Sequence, residues 1–151
     1  MIHLRNYTAA DFDALHRVDQ QCFDPLIAYS RAELDNFVNR TSAMTIVAVD
    51  TALEEEPVTA FIIVDHERPK SGHIITIDVL DAYRRQGVGT QLIREAEARS
   101  LASQRRAMLL EVAVANHPAR RFYERHGYVV LRKLPDYYKR GGDALLMGKN
   151  L

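Results

Sequence analysis

The chain has 151 residues, enough for one well-formed core and too few for two comfortable domains, so one domain over residues 1–151 is expected. Its 47 % apolar and 26 % charged residues are the balance of a globular protein, and a formal net charge of zero excludes wholesale attraction to nucleic acid or an anionic membrane. A single cysteine, Cys22, excludes an intrachain disulfide; with no membrane-length apolar run and no secretory stretch in Met1–Tyr7, a cytoplasmic protein is expected.

Ile2 to Tyr7 alternates apolar and polar residues, as a strand does. Phe12, Leu15 and Val18 then recur at helical spacing, with Thr8 or Asp11 available as a cap. After Pro25, Ser30 with Glu33 three residues on reads as a capping box for a short helix whose apolar face is Leu34, Phe37 and Val38. Ala43–Asp50 and Val58–Asp65 are predicted strands, separated by an acidic turn that Pro57 closes. His73–Leu80 is a third strand of this kind, and a long helix starts at Gly87 with a stripe of Val88, Leu92, Ala96 and residues 99–101. Ala107–Ala115 is a buried strand; Pro118 opens and Gly127 ends a further helix. Tyr128–Leu134 and Ala144–Lys149 are two closing strands, with Tyr137 and Tyr138 in the loop between them. The order predicts a mixed α/β domain.

The junction at Arg84-Arg85-Gln86-Gly87-Val88-Gly89-Thr90 carries the first chemistry. Glycines two apart between a strand and a helix leave backbone N–H groups unscreened, and with the helix N-terminus these form an anion site. Arg84 and Arg85 add charge-assisted donors and Thr90 a hydroxyl, which suits a pyrophosphate. There is no Gly-Lys-Ser/Thr, which excludes a nucleotide-triphosphatase loop, and Leu92 stands where a dinucleotide fingerprint has its third glycine. A plain glycine turn before a helix is the alternative.

Arg84-x-x-Gly87-x-Gly89 between a strand and a long helix, followed by Leu110-Glu111-Val112, Asn116, Ala119, Phe122-Tyr123-Glu124 and Gly127-Tyr128, resembles the GNAT acetyltransferase superfamily. The resemblance is nearest to the branch that acetylates protein N-termini, including the bacterial ribosomal-protein-alanine enzymes. Tyr137-Tyr138-Lys139-Arg140, Asp143-Ala144 and Met147 resemble that branch's tyrosine-rich loop and closing strand. Leu80-Asp81 departs from the Asp-Pro often found before the glycine turn.

The resemblance implies a GNAT fold: a mixed, mostly antiparallel sheet with helices on both faces. Its parallel strands His73–Val79 and Ala107–Ala113 would splay at their C-terminal ends to take the thioester of acetyl-CoA. It implies acetyl-CoA contacts at Ile77, Asp78, Val79, Arg84, Arg85, Gln86, Gly87, Val88, Gly89, Thr90 and Asn116, with a backbone N–H near Val79 polarising the carbonyl.

Glu111 sits in a nearly apolar strand, where a carboxylate is costly unless paired or used. Two readings stand: a salt-bridged glutamate, or the general base, acting directly or through water, that the resemblance implies. Tyr123 shares a helical face with Ala119 and Phe122; it is a core aromatic or, by resemblance, the acid that protonates the leaving thiolate. Asn116 either contacts the pantetheine arm or caps the following helix. Tyr137 and Tyr138 either pack on the sheet or wall an acceptor groove opposite Phe23–Tyr29, flanked by Asp24 and Asp136.

Six scattered histidines lack metal-ligand spacing, so no metal is expected. The resulting expectation is N-acetyl transfer from acetyl-CoA to a peptide N-terminus by direct attack. A lysine or small-amine acceptor, and a non-catalytic CoA-binding regulator, are the alternatives.

Overall fold

A strand that is apolar on both faces needs cover on both, and Val58–Asp65 is buried at every position. In the computed structural model, which describes residues 1–138 and 142–151, this segment is the third of seven strands in one sheet. The elements are β1 (Ile2–Asn6), α1 (Phe12–Cys22), α2 (Arg31–Val38), β2 (Ala43–Asp50), β3 (Val58–Asp65) and β4 (Ser71–Val79). They continue with α3 (Val88–Ala102), β5 (Ala107–Ala113), α4 (His117–Arg125), β6 (Val129–Tyr138) and β7 (Gly142–Asn150). The strand order is β1-β2-β3-β4-β5-β7-β6, antiparallel except for β4 with β5. This is the expected mixed α/β fold with helices on both faces.

The two faces hold two cores. One gathers Ile62, Ile74, Leu92, Ile93, Met108, Leu110, Val112 and Tyr123 under α3 and α4. The other gathers Leu15, Val18, Leu34, Val47, Phe61 and Ile63 under α1 and α2. The capping box of α2 is formed: Ser30 Oγ accepts from Glu33 N at 3.1 Å and Ser30 N donates to Glu33 Oε1 at 3.0 Å.

Strand β4 decides where the site lies. Ile63 pairs with Thr76 but Val64 pairs with Ile74, so Ile75 is an extra residue, a β-bulge. Pairing of β4 with β5 runs from Ser71↔Ala107 to Ile74↔Leu110 and goes no further. Beyond the bulge β4 stays with β3 through Ala60↔Val79, while β5 stays with β7 through Ala113↔Ala144. A gap therefore opens between their C-terminal halves.

Two expectations are corrected. Tyr137 and Tyr138 belong to β6, not to a loop, and Tyr138 pairs with Gly142. The strand survives Pro135 and the positive φ of Asp136 (52°) because β6 is an edge strand, where no outer neighbour needs the missing N–H. The stripe of α3 runs through Ile93 and Ser100, with Leu101 exposed. Of the tyrosine-rich segment, Lys139, Arg140 and Gly141 lie outside the described residues.

Gly72 lies in the paired part of β4, opposite Met108, and a Cβ there would meet Met108 Sδ at 2.9 Å, Ser100 Oγ at 3.1 Å and Val64 Cγ1 at 3.2 Å. Gly72→Ala should therefore lower stability by about 1–3 kcal/mol through overpacking. Denaturant unfolding measures this, and an unchanged midpoint would contradict it.

Candidate active site

Backbone groups line the gap. Leu80 N–H donates to Thr59 O and the register continues through Ala60↔Val79. In an antiparallel ladder bonded and non-bonded pairs alternate, so the N–H and C=O of Ile77 and Val79 turn away from β3 into the gap. The same count applies opposite. Val114 N–H donates to Asp143 O, so Ala113 and Glu111 turn their backbone groups away from β7 into the gap. Two strand edges thus face each other with unspent donors and acceptors beyond the last parallel pair, Ile74↔Leu110, which takes the Glu111 N–H onto Ile74 O. Val79 O is the exception, accepting from Arg84 Nε at 2.9 Å and Cys22 Sγ at 3.4 Å.

At the mouth of the gap stands the N-terminus of α3. Its N-cap, Gly87, has φ +80° and no side-chain cap; Arg85, two residues earlier, has φ +62°. Gln91 N–H makes the first bond back, to Gly87 O, so the N–H groups of Val88, Gly89 and Thr90 have no intrahelical acceptor. Left-handed residues at this spacing let successive N–H groups converge as an anion cradle.

The two glycines serve differently. A Cβ on Gly87 would meet nothing within 4 Å, whereas one on Gly89 would lie 3.1 Å from the Phe122 ring. Gly87 keeps the cradle open, and Gly89 lets α3 approach α4. Arg84 is bound to Asp81 at 2.8 Å as well as to Val79 O, while Arg85 is exposed. Gln86 Nε2 donates to Ala82 O, and Val88 is buried in the core. Thr90 Oγ1 lies 3.1 Å from His126 Nε2. Tyr83 holds the turn from behind, its hydroxyl 2.7 Å from Asp50 Oδ2.

Glu111 and Tyr123 lie on opposite faces of the sheet. Val112 and Leu110 point into the α3/α4 core, so Glu111 between them points to the other face. Its Oε1 lies 2.7 Å from His73 Nε2 and accepts from the Tyr137 hydroxyl at 3.3 Å. Burial, then the Glu111 charge and hydrogen bond, pushes the Tyr137 phenol up to about 12. Tyr123 is buried on α4; desolvation and then the field of Asp78, Tyr138 and Tyr29 raise its phenol above the ordinary value of 10.0. Desolvation and then Asp78, Asp19, Tyr137 and Tyr138 likewise raise Tyr29. Tyr29 and Tyr123 thus feel the fields of one another and of Tyr138.

Other sequence expectations land elsewhere. Asn116 is the N-cap of α4, its Oδ1 accepting from Ala119 N–H at 3.3 Å. Phe23 is the half-buried C-cap of α1, and Asp24 Oδ1 is spent on its own turn, accepting from Leu26 N–H. Asp136 N–H donates to Asp143 Oδ1. Asp78 turns its backbone to β3 and is 1 % exposed, meeting Asp19 of α1 rather than the gap. His73 was not singled out in the sequence. Only the register of β4 against β5 places it beside Glu111.

The chain matches the model of the Acetyltransferase (GNAT) family over residues 12–128. An N-alpha-acetyltransferase of Saccharolobus solfataricus is 39 % identical over 84 residues, covering 54 % of this chain and 50 % of that protein. The chain thus spans about half the length of the curated relatives it matches. Among solved structures, Ard1 of Thermoplasma volcanium superposes with a TM-score of 0.89 at 23 % identity, covering 99 % of this chain and 97 % of that one. The ribosomal-protein-S18-alanine N-acetyltransferase of Escherichia coli superposes with 0.87 at 20 % identity, covering 99 % and 94 %. At such identities these likenesses concern the fold. By its family-wide sequence match over most of its length, the chain belongs to the Acetyltransferase (GNAT) family.

Proposed function

We propose that residues 1–151 form one N-acetyltransferase domain that moves an acetyl group from acetyl-CoA to the α-amine of a peptide or protein N-terminus. The observation that carries this reading is the gap between β4 and β5, with Glu111 on one face, Tyr123 on the other and the α3 cradle at its mouth. The name of the Saccharolobus relative, N-alpha-acetyltransferase, supports the acceptor. A single, half-buried cysteine and the absence, among the described residues, of a helix able to cross a membrane agree with a cytoplasmic location.

Acetyl-CoA supplies the thioester. The pyrophosphate rests on the free N–H groups of Val88, Gly89 and Thr90, and Arg85 is free to swing onto it. The pantetheine amides exchange hydrogen bonds with Ile77 and Val79 on one side and Glu111 and Ala113 on the other. The N–H of Val79 polarises the thioester carbonyl.

The acceptor enters on the α1/α2 face between Tyr29 and the Tyr137–Tyr138 pair, whose rings stand edge to face at 5.1 Å. Glu111 takes the ammonium proton, directly or through water, with His73 and Tyr137 fixing its carboxylate. An α-amine has a reference pKa of about 8 against about 10.4 for lysine, so it needs the weaker base. The amine attacks directly, and no enzyme nucleophile intervenes. Tyr123 stays protonated throughout the neutral range because of its burial. That same shift widens its distance from a thiol near 8.5, so it acts first as a hydrogen-bond donor to the developing thiolate and passes its proton late.

Tyr123→Phe keeps the ring and removes the hydroxyl; kcat should fall about 10²-fold with CoA affinity retained. The same enzyme should acetylate a short lysine-containing peptide with a free N-terminus and spare its blocked counterpart. Equal rates on both would assign lysine as the acceptor. Failure on both, with turnover of a small amine, would end the peptide reading.

The cradle is tested separately. Gly87→Ala costs about 1–2 kcal/mol of left-handed strain and fills the open space, so CoA affinity should fall about tenfold or more. Calorimetry showing wild-type CoA affinity in the folded variant would place the phosphates elsewhere.

A further inference from the structure

Two buried acids lie under the walls of this site without a part in the reaction just described. Asp19, in the last turn of α1, is 0 % exposed, and Asp78 of β4 is 1 % exposed. Each has one oxygen accounted for. Asp19 Oδ2 accepts from Tyr29 N–H at 2.7 Å, and Asp78 Oδ1 accepts from the Thr76 hydroxyl at 2.5 Å. The remaining two, Asp19 Oδ1 and Asp78 Oδ2, are fully buried and find no partner when both groups are carboxylates. Helix α1 packs on β4, and Cys22 Sγ, one turn after Asp19, lies 3.4 Å from the carbonyl oxygen of Val79, next to Asp78, so the two acids are neighbours in the same dry layer. Two like charges and two orphaned acceptors in one dry space cost several kcal/mol. One proton between the two oxygens removes the second charge and satisfies both acceptors at once.

We propose that Asp19 and Asp78 share a single proton, and that this acid–carboxylate bond pins the Tyr29 wall of the acceptor groove to strand β4, making Asp19 a positioning residue for the acceptor. The chain of contacts is direct. Tyr29 N–H is held by Asp19, Asp19 by Asp78, and Asp78 lies between Ile77 and Val79, the residues that edge the gap. A shift of α1 against β4 would move Tyr29 relative to the thioester.

The surroundings favour the proton. Desolvation first, and then the Asp19 bond and charge, hold Asp78 far above the ordinary carboxylate range; the Thr76 bond and Arg84 pull the other way. The other titratable groups facing the pair are Cys22 of α1, Tyr29 of the loop after it, Tyr123 of α4 and Arg84 of the turn before α3. Burial pushes the Cys22 thiol up to about 11, and both phenols rise above their usual value, so these groups stay neutral while the pair titrates. The sign follows. A carboxyl whose pKa is raised on folding contributes its stability below the unfolded value, and that contribution is lost as pH rises through the folded one. The pin is closed at low pH and opens as pH rises through the raised value.

The pin itself needs no assumption about the acceptor; its effect on catalysis rests on the peptide reading. The test compares wild type, Asp19→Ala and Asp19→Asn from about pH 5 to about pH 9.5, the span in which buried carboxyls titrate. Amide exchange of Tyr29 and KM for a free-N-terminus peptide are both followed. In wild type, Tyr29 protection should fall and peptide KM rise by about tenfold as pH increases. Asp19→Ala should lack protection at every pH. Asp19→Asn, whose amide donates where the shared proton stood, should restore protection and KM and make both independent of pH. A pH-independent wild type, or an Asn variant as unprotected as the Ala one, overturns the proposal. Should no peptide be turned over while Tyr29 exchange follows the expected pattern, the pin stands and the peptide reading falls.

Discussion

The extra residue at Ile75 is the constraint on which the site depends. A bulge adds local twist and bends its strand, and here it falls at the end of the parallel pairing, Ile74↔Leu110. One strand then follows β3 and the other follows β7. The gap is lined by peptide groups that would pair with each other in a regular sheet. Its chemistry is therefore that of an open strand edge, complementary to an extended ligand carrying amides. The turn that follows β4 leads into α3, so the same departure from regularity that opens the gap places a helix N-terminus at its mouth.

Side-chain alternation distributes the roles. Strand β5 presents Leu110 and Val112 to one core and Glu111 to the other face, so a single step in sequence separates packing from chemistry. Helix α4 sits on the first face and brings Tyr123; helix α1 sits on the second and brings Asp19, with Tyr29 just beyond. Tyr128 and Lys149 both reach Glu97, at 2.7 Å and 3.0 Å, which ties α3 to the strands that follow α4. Acid and base candidates thus stand on separately anchored layers with the gap between them.

Much of this was legible in the sequence because it is local. The capping box Ser30–Glu33, the glycine turn and the apolar runs of β2 and β3 depend on neighbours a few residues apart. The Glu111 reading was legible because a lone carboxylate breaks an apolar run. What escaped depends on register between distant segments. His73 meets Glu111 only once β4 is aligned with β5, and Asp78 meets Asp19 only once α1 is laid across β4. By the resemblance, Asp78 belonged with Ile77 and Val79 as a ligand contact. Tyr137 and Tyr138 looked like loop residues because Pro135 and Asp136 precede them; the tolerance of an edge strand for such residues is a property of the sheet. The division of labour between Gly87 and Gly89 was equally hidden, since only Phe122 distinguishes them.

The central claim is that the gap is the seat of the cosubstrate. Amide hydrogen exchange with and without saturating CoA tests it most directly. The account predicts that the N–H groups of Ile77, Val79 and Ala113 gain protection by about tenfold or more, together with Val88, Gly89 and Thr90 at the helix start. Unchanged exchange at the three strand residues, with CoA binding confirmed calorimetrically, would contradict it.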